Sequence, residues 1–358
     1  MAVVVGQDLH HREHLPASPK RAIRRIRDRR SDHSQLLRRA VQFAFAALNV
    51  WIGVEFYLFV RYWETGGATV FVPRPAGVEG WLPIAGLMNL KAFLDTGRMP
   101  AIHAAAMILI ATFLLISWLF RKSFCSWLCP IGTLSEYLWR LGRLIFGRSW
   151  ALPRRFDLVL RSLKYILLAL FLYAIGGMSA EAIQAFMASP YGLIADVKML
   201  NFFRHLSLTA AVVIGVLTLL SLFFQNFWCR YLCPYGALVG LASLLSPLRI
   251  RRDPATCIDC ARCAKACPSL LPVDRLLKVR SAECTGCLEC VAACPVNDAL
   301  ALTAGRRWRV PAWAMAAGIA LLFLGITGWA QLAGYWGTDL PAQVYRELIP
   351  RAHEFSHP

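Results

Sequence analysis

The chain contains the stretch FCSWLCPIGTL at residues 124–134 and repeats it as WCRYLCPYGAL at residues 228–238. Both copies keep the pattern Cys-x-x-x-Cys-Pro-x-Gly, and they lie 104 residues apart. Each copy directly follows a long apolar run, so the repeated unit is a membrane-type segment that ends in a cysteine motif. The spacing predicts two helix-hairpin repeats of the same orientation, as in membrane proteins built from parallel repeats.

The composition of the 358-residue chain is typical of a membrane protein. Hydrophobic residues make up 57% of it and charged residues 17%, a balance that excludes a disordered chain. The net charge is +18. The basic residues stand in blocks between apolar runs, which argues against nucleic acid as a partner and indicates a chain that lies in membrane lipid.

Five apolar runs are long enough to cross a hydrocarbon core of roughly 30 Å. These runs are residues 40–60, 101–120, 158–178, 206–224 and 312–330. Arg161 and Lys164 fall in the first turns of the third run, and they would have to extend to the membrane surface. The sequence therefore predicts an all-α membrane protein with about five transmembrane helices.

The basic residues also predict the orientation of the chain. The N-terminal segment and the segments after the second and fourth runs carry 29 Lys and Arg residues, whereas the three segments on the other side carry 8. Because Lys and Arg accumulate in cytoplasmic loops, we expect a multi-pass protein of the bacterial inner membrane. Its N-terminus and the two basic loops would be cytoplasmic, and its C-terminus periplasmic.

The second basic loop contains the run Cys-x2-Cys-x2-Cys-x3-Cys-Pro twice. This is the spacing of bacterial ferredoxins with two 4Fe–4S clusters, in which the fourth cysteine of each run ligates the other cluster. The predicted ligands are Cys257, Cys260, Cys263 and Cys294 for one cluster, and Cys284, Cys287, Cys290 and Cys267 for the other. Structural zinc sites use two pairs of ligands and do not need such runs. The pattern therefore predicts a small α+β ferredoxin domain inserted after the fourth span.

These features divide the chain into five parts. They are a basic cytoplasmic N-terminal extension (1–39), a four-span membrane domain (40–249), a cytoplasmic ferredoxin domain (250–305), a fifth transmembrane helix (306–331) and a periplasmic tail (332–358).

Four cysteines belong to the repeated motifs and are called the repeat cysteines below. They are Cys125, Cys129, Cys229 and Cys233. Cysteines at positions i and i+4 of a helix share a face, so the four thiols would converge near the cytoplasmic surface if the two repeats pack side by side. Converged thiols could form a third metal centre, a reversible dithiol or a soft site for Cu(I). The structural alternative is packing as small hydrophobic side chains.

The paired motifs followed by the double ferredoxin pattern resemble the NapH/NosR-type membrane polyferredoxins over residues 40–300. Residues 74–91 also resemble the external loop of the NosR branch. The resemblance implies electron supply from the cytoplasm or the quinone pool to periplasmic reductases of anaerobic respiration. Its expected partners are a cytoplasmic electron donor and a periplasmic reductase or cytochrome. The fifth span and the 27-residue tail after it depart from the NapH pattern.

No general base, nucleophile or nucleotide-binding motif is evident, so we expect an electron-transfer component rather than a stand-alone enzyme. Two alternatives remain open. One is a quinol dehydrogenase subunit with quinone bound between the spans, in which Glu55 could accept a proton. The other is an assembly factor that handles copper or reduces thiols for a periplasmic copper enzyme.

Overall fold

Helices dominate the computed structural model, which describes residues 32–148, 150–305, 308–338 and 340–357. The larger part of the predicted N-terminal extension, residues 1–31, lies outside the described residues. The α-helices are α1 (Ser34–Glu64), α2 (Pro83–Thr96), α3 (Ala104–Leu119), α4 (Pro130–Phe146), α5 (Arg154–Gly176), α6 (Ala180–Ala188), α7 (Pro190–Leu193), α8 (Ala195–Arg204), α9 (Leu208–Phe223), α10 (Pro234–Ser243), α11 (Arg262–Lys265), α12 (Glu289–Ala292), α13 (Ala312–Leu332) and α14 (Ala342–Leu348).

In the described residues, three helices are long and apolar enough to cross a membrane, namely α1, α5 and α13. Helices α8 and α9 meet at a bend of 79° and make a fourth candidate if they are counted as one span. The chain is therefore an integral membrane protein with three or four candidate spans. The predicted count of five spans and the parallel repeat are not confirmed.

The second predicted span, residues 101–120, contains the shorter helix α3. Helix α3 has 16 residues, which at 1.5 Å per residue reach about 24 Å, less than a hydrocarbon core. Its side chains are buried on nearly every face, and it packs against α2, α10 and α13. A helix that is apolar all round is surrounded by protein or lipid. Here other helices cover most of α3.

The ferredoxin domain is built on a small antiparallel sheet. Its strands are β1 (Leu248–Arg252), β2 (Leu300–Ala304) and β3 (Trp308–Arg309), in the order β1-β2-β3. Helices α11 and α12 lie between β1 and β2 along the chain and carry cysteines of the two ferredoxin runs. Ile250 pairs with Leu302 in the register of β1 and β2, and both side chains are buried.

The ferredoxin domain shares one hydrophobic core with the membrane helices. Ile116 of α3 and Trp127 of the first repeat motif lie in the same buried cluster as Ile250, Leu271 and Leu302 of the ferredoxin domain. Both Ile116 and Trp127 have no exposed surface. The ferredoxin domain is therefore docked against the end of the membrane helices at which the repeat motifs lie.

A separate cluster holds the C-terminal tail against the opposite end of the helices. The ring of Tyr345 in α14 meets Phe59 of α1 edge-on, with ring centroids 5.2 Å apart. Ile194 and Val197, at the start of α8, are buried in the same cluster. The tail is thus packed on the helices.

Candidate metal centres

Each repeat motif begins in a π-helical turn, at residues 124–128 and 228–232. The backbone N–H of Cys129 donates to the carbonyl five residues earlier at 2.8 Å, and that of Cys233 does the same at 3.0 Å. This five-residue hydrogen bond defines a π-helix, which is common at functional sites. The cysteines of each pair are therefore placed by a wider turn than the α-helical spacing assumed from the sequence.

The second cysteine of each motif caps the N-terminus of the helix that follows. Cys129 caps α4 and Cys233 caps α10, and their Sγ atoms accept the backbone N–H of Gly132 at 3.4 Å and of Gly236 at 3.2 Å. Proline suits the first position of a helix. A Cβ atom on Gly132 would lie 2.2 Å from the carbonyl oxygen of Cys125. The motif Cys-Pro-x-Gly is thus a helix cap in which sulfur is the acceptor.

The repeat cysteines from both motifs line one internal cavity of about 930 Å³. The two motifs also touch, because Phe124 of the first meets Tyr235 of the second edge-on at 5.4 Å between ring centroids. From the thiols the cavity continues between the helices, where Leu168, Phe323 and Trp81 contribute to a largely apolar wall. The structure therefore brings all four repeat cysteines to the wall of a single cavity.

A buried lysine lies near these thiols. Lys122 lines the same cavity and is 4% exposed. In the described part of the chain its ammonium group has no hydrogen bond or ion pair. The acid with the strongest electrostatic effect on it is Glu283 of the ferredoxin domain. Glu283 already binds Lys164, whose Nζ lies 2.6 and 2.7 Å from its two carboxylate oxygens.

The position of Lys164 differs from the sequence prediction. It was expected to extend to the membrane surface, but it is fully buried. The reason is that the docked ferredoxin domain supplies the carboxylate of Glu283 as its partner. Burial alone would raise the pKa of Glu283, but Lys122 and Lys164 outweigh this effect and hold it at about 2. Glu283 is therefore charged at neutral pH and bonded to Lys164.

Burial raises the pKa of three of the repeat thiols, those of Cys125, Cys129 and Cys229, and so favours their protonated form. Burial raises the pKa of Cys125 to about 11, although Lys122 acts in the opposite direction. Burial also raises the pKa of Cys229 to about 12. A metal that binds such thiols would deprotonate them outright.

The eight ferredoxin cysteines form two groups that line separate small cavities. We name the groups by their position relative to the repeat cysteines. The distal group is Cys257, Cys260, Cys263 and Cys294, and the proximal group is Cys267, Cys284, Cys287 and Cys290. Each group takes three cysteines from one run and the fourth from the other run. Cys260 of the distal group is exposed, whereas Cys267, Cys287 and Cys290 of the proximal group are buried.

The cysteines of each ferredoxin group surround a small space. Across residues 32–148, 150–305, 308–338 and 340–357, no three or more His, Cys, Asp or Glu side chains are placed to hold one metal ion. Thiolates on a cubane bind different irons, so they surround a space and do not converge on one point. Each ferredoxin group encloses such a space.

The proximal group lies directly beneath the first repeat motif. Cys287 lines both the proximal cavity and the large membrane cavity. The Trp127 indole donates to the carbonyl of Gly286 at 3.2 Å, and the Ser126 hydroxyl donates to that of Thr285 at 2.7 Å. These bonds join the loop of the proximal group to the π-helical turn of the repeat motif.

A buried arginine strengthens the same junction. Arg38 of α1 binds both carboxylate oxygens of Glu136 in α4 at 2.7 Å, and it also binds Glu289 of α12 at 2.8 Å. Arg140 contacts the same two acids. The sequence placed Arg38 in a basic extension at the membrane surface, and no local signal indicates that it is fully buried.

Sequence reasoning also missed a charge network on the opposite side of the cavity. Glu79 is fully buried; Arg74 lies 2.9 Å from it and 2.7 Å from Asp196. His103 Nδ1 lies 3.2 Å from Glu79, and the Thr338 hydroxyl donates to Glu79 at 2.7 Å. The network connects the loop before α2, helix α8 and the C-terminal tail. Its members are far apart in the sequence, so no motif could have shown it.

Two protein-family models match the chain. A model described as a 4Fe-4S binding domain matches residues 102–149 and again residues 206–252. A model described as a 4Fe-4S dicluster domain matches residues 249–296. The first covers both repeat motifs, and the second covers all the ferredoxin cysteines.

Several known proteins are similar to the chain. The candidate electron transport protein YccM of Escherichia coli (strain K12) is 49% identical over 89% of this chain and 91% of YccM. The ferredoxin-type protein NapH of the same strain is 26% identical over 51% of this chain and 59% of NapH. The regulatory protein NosR of Pseudomonas aeruginosa is 32% identical over 41% of this chain and 20% of NosR. No solved structure matches the chain.

The fold and the cysteine sites define an integral membrane protein of the ferredoxin type, with 4Fe–4S binding domains. The chain belongs to the NapH/NosR-type membrane polyferredoxin family. This membership confirms the resemblance of its motifs, and the similar proteins support a role in electron transfer.

Proposed function

We propose that the chain is a membrane-bound iron–sulfur electron carrier between a cytoplasmic donor and a membrane or periplasmic reductase system. The order of the cysteine groups carries this proposal: the distal group reaches the surface at Cys260, and the proximal group reaches the membrane cavity at Cys287. When bound in the two groups, 4Fe–4S clusters supply one-electron transfer.

The residues around the distal group are exposed to solvent, whereas those around the proximal group are covered by the first repeat motif. Ile258 and Asp259 beside Cys260 are exposed, so a donor can approach the distal group closely. Ser126 and Trp127 cover the proximal loop and hold it against the repeat motif. The donor side is thus open, and the membrane side is enclosed by protein.

The proposal requires the ferredoxin domain to face the cytoplasm and the tail to face the periplasm, as the distribution of Lys and Arg predicts. A reporter that is active only in the periplasm should give signal when fused after residue 350. The same reporter fused after residue 300 should give none. The reverse pattern would place the distal group on the periplasmic side and would exclude a cytoplasmic donor.

Electron acceptance can be tested on anaerobically purified protein. Reduced viologen should bleach its visible iron–sulfur absorbance and produce the EPR signals of two ferredoxin clusters. Cys260→Ser should remove or alter the distal signal and leave the proximal signal in place, because Cys260 belongs only to the distal group. Protein with about two zinc ions per chain and little iron would contradict the proposal.

A quinol dehydrogenase subunit is the second candidate, and the cavity favours it. A volume of about 930 Å³ with a largely apolar wall is in the range of small-molecule sites. A soluble quinone should then reoxidise the reduced protein. Leu168→Trp, in the cavity wall, should block this reaction, whereas Leu144→Trp at an exposed position of α4 should not. Failure of quinone to reoxidise the wild-type protein would exclude this candidate and leave the carrier proposal intact.

A further inference from the structure

Residues 137–156, called the arginine segment below, cover the second half of α4, the turn after it and the start of α5. They contain five arginines and no acidic residue. One of these, Arg140, is bound in the junction with the ferredoxin domain. Arg143, Arg148 and Arg155 are exposed, and none of them forms an ion pair with a residue that the structure describes. Basic segments are usual in cytoplasmic loops, so the surrounding surface must show what these three cations bind.

Helix α4 carries a continuous apolar stripe. Its polar face meets the ferredoxin domain, where Arg140 contacts the carboxylate of Glu289. Away from this face, leucine and isoleucine recur at intervals of three and four residues, at Ile131, Leu134, Leu138, Leu141 and Ile145. Such spacing places the five side chains on one stripe of the helix. Leu138 is half-buried, and the other four are exposed. An exposed apolar stripe on a helix with a charged face is typical of a helix that lies in the membrane interface.

The turn after α4 lies where α9 ends and α5 begins. The ring of Trp150 meets that of Phe223 at the end of α9 edge-on, with ring centroids 5.2 Å apart. The backbone N–H of Trp150 also donates to the carbonyl of Phe223 at 3.3 Å. Helix α5, a candidate span, begins at Arg154. Tryptophan is enriched at the boundary between lipid and water. Arg148 and Arg155 therefore lie at the depth of the lipid headgroups.

The exposed arginines suit a phosphate group as their ligand. The guanidinium of Arg143 lies 5.1 Å from the ring centroid of Trp139, and that of Arg148 lies 4.9 Å from the ring centroid of Trp150. Stacking on an aromatic ring orders the planar guanidinium, whose N–H groups can donate in pairs to phosphate oxygens. Among phosphate compounds, one with acyl chains would also cover the apolar stripe of α4. The two features together point to a phospholipid.

We propose that the arginine segment is a binding site for an anionic phospholipid. Arg143, Arg148 and Arg155 bind the phosphate group of the lipid, and its acyl chains cover the apolar stripe of α4. The net charge of the lipid matters, because the ammonium group of a zwitterionic lipid offsets its phosphate. Each arginine near an anionic lipid surface adds about fivefold to the affinity. The site is separate from the cysteine groups, so it does not rest on the proposed function.

Lipid titration of the purified chain in a nonionic detergent tests the site. The bound lipid is counted by native mass spectrometry, with phosphatidylglycerol as the anionic probe and phosphatidylcholine as the zwitterionic one. The wild type should bind phosphatidylglycerol at least about tenfold more tightly than phosphatidylcholine. A triple variant with Arg143→Gln, Arg148→Gln and Arg155→Gln should lose about 100-fold in affinity for phosphatidylglycerol. Its affinity for phosphatidylcholine should stay unchanged.

Two further triple variants separate a specific site from general attraction. The corresponding lysine variant should keep an affinity close to that of the wild type, because lysine also binds phosphate. Arg262, Lys265 and Arg275 are exposed cations beside the distal group, and their change to glutamine should have no effect although the loss of charge is the same. Equal wild-type affinities for the two lipids would overturn the inference. So would equal losses in the two glutamine variants, a lysine variant as weak as the glutamine one, or displacement of phosphatidylglycerol by excess inorganic phosphate.

Discussion

Replacing any one of the repeat cysteines with serine should abolish electron delivery almost as completely as replacing all four. We expect each single variant to lose at least about 100-fold in rate, because groups that act as one unit lose function together. Electron delivery is measured in native membrane vesicles without wild-type protein, as the reoxidation rate of the reduced ferredoxin clusters. The EPR signals of those two clusters should remain, since no repeat cysteine lines their cavities.

The matched control is Ser221→Ala near the end of α9. Ser221 is buried and precedes the second motif by seven residues, and among the described residues its hydroxyl donates only to the backbone of its own helix, at 2.8 Å from the carbonyl of Leu217. This variant should keep nearly normal electron delivery. Near-normal rates in all four single cysteine variants would mean that the motifs serve packing alone. If only the variants of one motif lose electron delivery, a site shared by all four cysteines is excluded, and a dithiol within that motif is the remaining interpretation.

Glu283→Gln should strongly destabilise the junction between the ferredoxin domain and the membrane helices. The change removes the only carboxylate that binds Lys164 in the described residues and leaves that lysine buried without a counter-ion. Removal of one partner of a buried ion pair costs about 3–5 kcal/mol. The free energy of unfolding, measured in detergent on anaerobically purified protein, should fall by an amount in this range.

Two further variants show whether the effect comes from the buried pair. Adding Lys164→Met to Glu283→Gln should restore part of the lost stability, because the unpaired charge is then removed as well. Glu354→Gln breaks an ion pair with Arg351 in the exposed tail, and it should cause no measurable change. Equal losses in the single and double variants would show that Lys164 and Glu283 do not stabilise each other.

The grouping of the ferredoxin cysteines could be predicted from sequence because the information is local. The spacing of three cysteines within one run determines which thiols can reach one cluster. The structure groups Cys267 with the second run and Cys294 with the first. The repeat cysteines were found for the same reason, since each pair is separated by three residues. Their convergence on one cavity depended on packing between segments 104 residues apart.

The count of spans could not be obtained in this way. Hydrophobicity alone does not distinguish a helix surrounded by lipid from one surrounded by protein. Helix α3 is apolar throughout, but α2, α10 and α13 cover it. Similarly, the charge of Lys164 predicts a position at the membrane surface until the ferredoxin domain brings Glu283 to it.

The class of protein and the two cysteine runs of the ferredoxin domain can be recognised without any structure. Composition and short-range spacing are sufficient for these conclusions. Which charges are buried together becomes visible only in the folded chain: Lys122 beside the repeat cysteines, Lys164 on Glu283 and Arg38 on Glu136. Electrostatic energies depend on distance and burial in space, and partners about 100 residues apart in the sequence become neighbours only when the chain folds.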